Sequence, residues 1–127
     1  MSSEESRYVV EQFWAAMNAN DFRAAGDLLH DEFMLEWPQS GERIRGRENF
    51  VSINEHYPAT GRWQITLMRI VADPGGVATE VMVTDGVRSD RAITFSTVRD
   101  SKIVHQTEYW PDRFEASPWR VQWVEHG

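Results

Sequence analysis

The segment Val9–Pro38, VVEQFWAAMNANDFRAAGDLLHDEFMLEWP, decides the fold because it predicts three successive elements and a sharp stop. Apolar residues recur three and four positions apart in its first part, which predicts an amphipathic helix. Asp21 interrupts that pattern and is a favourable N-cap for a second, short helix. After this helix the apolar residues recur at every second position, which predicts a strand with Phe33, Leu35 and Trp37 on one face.

The rest of the chain predicts one more helix and a run of strands. A polar loop over residues 39–46 leads to a helix that begins near Arg47 and ends before Pro58. Alternating strands follow, and the short connections between them favour an antiparallel meander. The turn signals are Asp73-Pro74-Gly75-Gly76, Asp85-Gly86 and Asp100-Ser101. We expect one α+β domain over residues 1–127, with a tail at 114–127 that contains a short helix after Ser117.

Composition excludes several classes of partner. The chain has 127 residues, a formal charge of −7 and no cysteine. Excess negative charge repels phosphate backbones, so we expect no nucleic-acid partner. No apolar stretch is long enough to cross a bilayer, and the acidic, polar N-terminus does not resemble a signal peptide. We therefore expect no membrane partner and a cytoplasmic location, with which the absence of cysteine agrees.

The order of these elements over about Val9–Trp110 resembles the nuclear-transport-factor-two-like (NTF2-like) superfamily. Its members include ketosteroid isomerase, scytalone dehydratase and the SnoaL-like polyketide cyclases, and we identify the chain with the SnoaL-like branch. The resemblance implies a cone-shaped α+β barrel, in which three N-terminal helices pack on a curved antiparallel sheet. It also implies a pocket between helices and sheet, with catalytic groups on the concave face.

The last strand carries the main candidate for chemistry. Its segment KIVHQTEYW resembles the terminal strand of SnoaL-like cyclases, and by that match Glu108 takes the position of their inward carboxylate. Strand alternation puts Gln106 and Trp110 on the same side. A carboxylate among aromatic rings is poorly solvated, so its pKa rises and it becomes a plausible general acid or base. The alternative is that Glu108 pairs with an arginine and only holds the shape of the pocket. The same alternation places four residues on the outer face: Ile103, His105, Thr107 and Tyr109.

Three departures from ketosteroid isomerase argue against its reaction. Phe13 stands at the position of that enzyme's oxyanion-hole tyrosine, and Trp37 at that of its general-base aspartate. Thr94 replaces its protonated aspartate. Limonene epoxide hydrolase is also a poor match, because Val81 and Val83 stand where its middle strand has Arg-x-Asp.

Other polar groups have competing interpretations. Glu80 is either a second pocket carboxylate or an exposed residue, depending on which face of its strand is buried. Arg43, Arg45 and Arg47 either guide an anion to the pocket or belong to a solvated loop and helix start. Consecutive ligand-type residues at 30–32 do not converge on one ion, and no pair of histidines has metal-ligand spacing. We expect neither a metal nor a cofactor.

Two functional classes follow from these residues. The first is a cofactor-independent cyclase, isomerase, hydratase or hydrolase for a small hydrophobic substrate, with Glu108 moving the proton. Its substrate-binding residues would be Phe13, Trp37, Gln106 and Trp110. The second class is a non-catalytic ligand-binding or scaffold protein of the same fold. The apolar outer face of the last strand predicts a homodimer, which the tryptophan-bearing tail could help to seal.

Overall fold

A computed structural model describes all 127 residues of the chain. The helices are α1 (Ser3–Asn18), α2 (Phe22–Gly26) and α3 (Arg47–His56). The strands are β1 (Leu29–Trp37), β2 (Glu42–Arg45), β3 (Gln64–Ala72), β4 (Gly76–Thr84), β5 (Ser89–Arg99) and β6 (Lys102–Tyr109). A short 3-10 helix, Pro118–Trp123, lies in the tail.

The two N-terminal helices form where the sequence predicts them. Ser2 and Glu5 make a capping box, in which the Glu5 amide donates to Ser2 Oγ over 3.0 Å and the Ser2 amide to Glu5 Oε1 over 3.3 Å. Asp21 caps α2 by accepting a hydrogen bond from the Ala24 amide. One face of α1 is buried against the sheet, and its apolar members are Val9, Val10, Phe13, Trp14 and Met17.

The six strands form one curved, open sheet in the order β2-β1-β6-β5-β4-β3. Neighbouring strands are antiparallel, as predicted, except that β1 and β6 pair in parallel. A parallel pair needs a long connection between its strands, and here α3 and four strands lie between β1 and β6 along the chain. The helices cover the concave face, which confirms the predicted cone.

Two local predictions were wrong. Strand β2 lies within the predicted polar loop, because a four-residue edge strand that buries only Ile44 has no alternating apolar signal. Ile103 is fully buried in the core rather than on the outer face. The pairing of β5 with β6 shifts by one residue at this point, so that Val104 is the extra residue of a β-bulge and alternation restarts after it.

Asp85, in the β4–β5 turn, holds the loop that follows α3. Its carboxylate accepts a hydrogen bond from the Thr60 amide over 2.9 Å, and from the Val87 and Arg88 amides of its own turn over 3.0 and 2.9 Å. Gly61 packs so closely that a side chain there would come within 2.7 Å of the Asp85 carbonyl oxygen. The loop and the turn are therefore held together as one unit.

The tail has few contacts with the rest of the chain. The predicted helix is present but is of the 3-10 type, and Trp119 and Trp123 are largely exposed. In the whole protein no helix combines the length and apolar character needed to cross a membrane.

Candidate functional site

Helices and sheet enclose an inner cavity of about 150 Å³ inside the cone. Most of its lining side chains are apolar or aromatic, and they come from all three helices and from the loop before β3. They include Phe13, Trp14, Met17, Phe50, Tyr57 and Trp63. A cavity of this size accepts a molecule of about one ring.

Glu108 lines this cavity near the end of β6, and its side chain is only 7% exposed. The indole nitrogens of Trp37 and Trp110 donate to the same oxygen, Oε1, over 3.0 and 3.1 Å. The Thr94 hydroxyl donates to the other oxygen, Oε2, over 2.7 Å. Burial raises the pKa of Glu108, although each of these hydrogen bonds opposes the rise by favouring the charged form.

No basic side chain neutralises Glu108. The arginines that line the cavity have other partners: Arg88 pairs with Asp90 over 2.9 Å and Arg91 with Glu80 over 3.3 Å. The alternative of a structural ion pair between Glu108 and an arginine is therefore wrong. The carboxylate is held by uncharged donors alone.

The two carboxylate oxygens differ in what they can still bind. Each oxygen can accept about two hydrogen bonds. Oε1 already accepts two, from the indoles, whereas Oε2 accepts one, from Thr94. The remaining acceptor position of Glu108 is thus on Oε2.

Gln106 and Phe13 line the same cavity as this carboxylate. One end of the Gln106 amide bonds to Ser96 Oγ over 3.2 Å, and no other hydrogen bond is made to this side chain. Because no buried polar atom lacks a partner, the other end of the amide is reachable from the cavity. Phe13 packs edge-on against Trp14, at 5.0 Å between ring centres, and makes the cavity floor apolar.

Trp37 and Trp110 border a second, outer cavity of about 320 Å³. Trp110 lines both cavities, whereas Trp37 lines the outer one only. Gln39, in the turn after β1, makes two hydrogen bonds to the backbone of Trp110 and so fixes the two indoles relative to each other. The structure therefore brings together all five predicted site residues, in two connected compartments.

Sequence reasoning missed two contributors. In the sequence, Thr94 only marks the absence of the protonated aspartate of ketosteroid isomerase, but in the fold its hydroxyl donates directly to Glu108. Gln39 has no motif, and its role depends on a contact with residue 110 that only the folded chain creates.

Several other candidates lie away from the cavities. His105 bonds to Glu36 over 3.0 Å, and Glu36 also pairs with Arg43. Arg47 donates to the backbone carbonyls of Gly26 and Leu29, so it anchors α2. Glu80 lies opposite the buried valine face of β4 and pairs with Arg91. No three histidine, aspartate or glutamate side chains converge closely enough to hold a metal ion.

Comparison with known proteins agrees with this architecture. A family model described as a SnoaL-like domain matches residues 10–106. A crystal structure from Kribbella flavida DSM 17836, named provisionally as a ketosteroid isomerase, is 30% identical over 98% of this chain and 91% of that one, with a TM-score of 0.91. An NTF2-like protein of unknown function from Burkholderia xenovorans LB400 is 34% identical over 99% of this chain and 98% of that one, with a TM-score of 0.82.

An epoxide hydrolase from Mycobacterium tuberculosis, similar to limonene epoxide hydrolase, shares the fold at 23% identity, with 86% of this chain and 84% of that one covered and a TM-score of 0.71. No curated protein matches the sequence. The family model covers most of the chain, and its match agrees with the cone and the aromatic cavity. The chain therefore belongs to the SnoaL-like family of the NTF2-like fold.

Proposed function

We propose that this SnoaL-like protein is a cofactor-independent acid–base enzyme of the cyclase, isomerase, hydratase or hydrolase type, acting on a small hydrophobic substrate. The observation that carries the proposal is Glu108, a buried carboxylate without a basic partner that lines an aromatic cavity. Its raised pKa brings the acid and base forms closer in free energy near neutral pH. Such a group can take up a proton and return it during one turnover.

Thr94 supports this role because a hydroxyl group can reverse its hydrogen bond. It donates to Oε2 when Glu108 is charged, and it can accept from Oε2 when that oxygen carries the proton. The two indole nitrogens keep donating to Oε1 in both states. Glu108 can therefore change its protonation state without a rearrangement of its partners, and Oε2 is the oxygen that exchanges the proton.

Gln106 is the second polar group that a ligand in the inner cavity would meet. The Gln106 amide nitrogen carries two hydrogens, of which Ser96 takes one. We propose that the other N–H donates to the carbonyl oxygen of the substrate, while Oε2 removes a proton from the adjacent carbon. The same oxygen then returns a proton to the substrate, either the one it removed or, after exchange on Oε2, one from the solvent. Phe13 and the other apolar lining residues exclude water from this transfer.

Exchange of substrate protons with heavy water tests the proposal without knowledge of the product. A panel of small hydrophobic ketones and aldehydes that raise the melting temperature is incubated in D₂O, and deuterium uptake next to the carbonyl is followed by NMR. We expect Glu108→Gln to slow the catalysed exchange by roughly 10²–10⁴-fold. Glu36→Gln, which removes a carboxylate from the outer face, is the matched control.

A non-catalytic ligand-binding protein is the second candidate. It is favoured by the small volume of the inner cavity and by the aromatic side chains that fill it. In that case the wild type and Glu108→Gln would bind the same ligands, and neither would accelerate exchange. That outcome would contradict the enzymatic proposal.

We also propose that two copies pair through the outer face of the sheet. Phe95 on β5 is 51% exposed and Tyr109 on β6 is 37% exposed, and their rings meet edge-on at 6.4 Å between centres. Such a pair leaves an apolar patch in water unless a partner covers it. Light scattering at micromolar concentration should give twice the chain mass of 14.7 kDa, and Phe95→Glu should restore the monomer. A wild-type mass near 14.7 kDa would contradict the dimer.

From the charge and composition of the chain, we propose that it is a cytoplasmic protein that binds neither nucleic acid nor membranes. The formal charge of −7 opposes contact with phosphate groups, and the chain has no cysteine to form a disulfide. Fractionation of the source cells should recover the protein with the cytoplasm.

A further inference from the structure

The outer cavity shares Tyr57, Trp110 and Asp112 with the inner one but differs from it in charge. Three aromatic side chains and two carboxylates line it, together with two neutral polar groups, and none of its lining residues is basic. The aromatic residues are Trp37, Tyr57 and Trp110, the acidic ones are Glu42 and Asp112, and the neutral polar ones are Gln39 and Ser40.

Neither acidic residue has a partner within the chain. Other carboxylates of the protein form ion pairs with arginines, but Glu42 and Asp112 do not, and neither accepts a side-chain hydrogen bond. Glu42 pairs directly with Trp37 across β1 and β2, so both side chains leave the sheet on the same face. Asp112 follows Trp110 by two residues. Both carboxylates therefore line the cavity that the two indoles border.

The two indoles are held in place before any ligand arrives. Their nitrogens converge on Glu108 Oε1, and Gln39 fixes the backbone of Trp110 to the turn after β1. Tyr57 is positioned by an edge-on contact with Trp63, at 6.0 Å between ring centres. Because the rings are already oriented, a ligand loses little binding free energy in ordering them.

We propose that the outer cavity binds the head of a small organic ammonium cation whose nitrogen carries alkyl groups. Aromatic rings attract a cation through their electron-rich faces, and clusters of such rings are a common way to bind alkylated ammonium groups. The two carboxylates add attraction for positive charge and disfavour anions. This inference deepens the proposed function, since it assigns a cationic head group to the substrate whose apolar part enters the inner cavity.

A bare metal ion fits these residues less well than an alkylated ammonium. Hard cations need several oxygen ligands at short distance, and the cavity offers no converging group of three acidic or histidine side chains. An alkylated ammonium is weakly hydrated and gains from contact with ring carbons. The apolar rings and the acidic groups thus have complementary roles for this one class of ligand.

Direct binding measurements separate the contribution of the ligand's charge to affinity from that of its shape. Choline and 3,3-dimethylbutan-1-ol, in which carbon replaces the charged nitrogen, are titrated into the full-length protein by calorimetry. Tryptophan fluorescence is a second readout. We expect choline to bind at least about tenfold more tightly than the isostere, because only choline carries the charge. Equal affinities would overturn the proposal.

Variants test whether this cavity is the binding site. The double variant Glu42→Gln/Asp112→Asn should weaken choline binding about tenfold and leave the isostere unaffected. The double variant Glu115→Gln/Glu125→Gln removes the same charge from the tail and should leave choline binding unchanged. Tyr57→Leu should weaken choline binding, whereas Tyr57→Phe, which keeps the ring, should not. If both double variants weaken choline binding equally, the effect is one of net charge and the proposal fails.

Two further measurements separate this inference from the proposed function and from a protein partner. Both assays are run on the wild type, with the uncharged ketones and aldehydes for proton exchange and with choline for binding. In the wild type, choline preference without proton exchange would contradict the proposed function alone, and proton exchange without choline preference would contradict this inference alone. A trimethyl-lysine peptide that binds much more tightly than choline would overturn the assignment to a small molecule.

Discussion

Glu108 and Asp85 are both buried carboxylates that accept three hydrogen bonds, yet their pKa values move in opposite directions. Their side chains are 7% and 6% exposed. Burial raises the pKa of Glu108, whereas hydrogen bonds from the amides of Thr60, Arg88 and Val87 lower that of Asp85 to about 2. The number of donors therefore does not decide the charge state.

Depth and donor type explain the difference. Asp85 lies in a turn and is followed by three exposed residues, 86–88, so water remains close behind its neighbours, and its donors are backbone amides. Glu108 lies inside the cone, on a cavity lined mostly by apolar and aromatic side chains, and its donors are two indoles and a hydroxyl. Accessible area describes only the first layer around a group, whereas the cost of burying a charge depends on the layers beyond it. Asp85 is accordingly a structural anion, and Glu108 is a group that can hold a proton.

Asp85→Ala should have the largest effect on stability. It leaves three backbone amides without their partner and releases the loop at Thr60 from the β4–β5 turn. We expect a melting temperature several degrees lower at neutral pH. The pKa of Asp85 falls from 3.8 to about 2 in the folded state, so its contribution is complete above pH 4 and is lost as the pH falls towards 2. Thermal melts from pH 2 to 7 should therefore converge for variant and wild type in acid.

Asp90→Ala is the control for that experiment. It removes a carboxylate from the same hairpin, but one in a solvated pair with Arg88, and such pairs contribute little to stability. A loss of stability as large as that of Asp85→Ala would contradict the structural role assigned to Asp85.

Thr94→Val should have an intermediate effect, and it tests the inner carboxylate. The shape of the side chain is retained but the donor to Oε2 is lost, which we expect to destabilise the fold by about 1–3 kcal/mol near neutral pH. Without the donor, the pKa of Glu108 should rise further, because that hydrogen bond lowers it in the wild type. NMR titration of the Glu108 side-chain carbonyl carbon measures the pKa directly. Thr94→Ser keeps the hydroxyl and should leave the pKa near that of the wild type.

Glu108→Gln should change stability least in acid, by about 1 kcal/mol, since a protonated carboxyl and an amide have similar shape and polarity. As the pH rises, the variant should become increasingly more stable than the wild type. The folded-state pKa of Glu108 is raised above 4.5, so the wild type loses stability as the pH passes through that raised value, whereas glutamine cannot ionise. Urea unfolding of both proteins at several pH values measures this difference. A wild type that gains stability relative to the variant as the pH rises would show that Glu108 resembles Asp85.

The sequence predicts the order of elements well because local signals mark them. The capping residues Ser2 and Asp21 and the turn at Asp85 act within a few positions of where they stand. Strand β2 and the bulge at Val104 carry no such signal. Edge strands and bulges depend on the partner strand, and the pattern of one segment does not contain that information.

The site was only partly predictable for the same reason. The family match and alternation place Glu108, Gln106 and Trp110 on one face. They do not predict that two indoles share Oε1 or that Gln39 fixes Trp110, because these contacts join residues about seventy positions apart. Their geometry follows from the register of β1 against β6.

The parallel pairing of β1 with β6 also has a consequence for how the chain folds. It joins the first and last strands, and the hydrogen bond between Trp37 and Glu108 closes a loop of 71 residues. Contacts of such long sequence separation form slowly, since the entropy of loop closure must be lost before they stabilise anything. During synthesis β6 leaves the ribosome after the other five strands, so the antiparallel hairpin of β3 and β4 can assemble well before the two tryptophans meet their carboxylate. Refolding followed by tryptophan fluorescence should then show the environment of the indoles changing later than the backbone signal of the sheet.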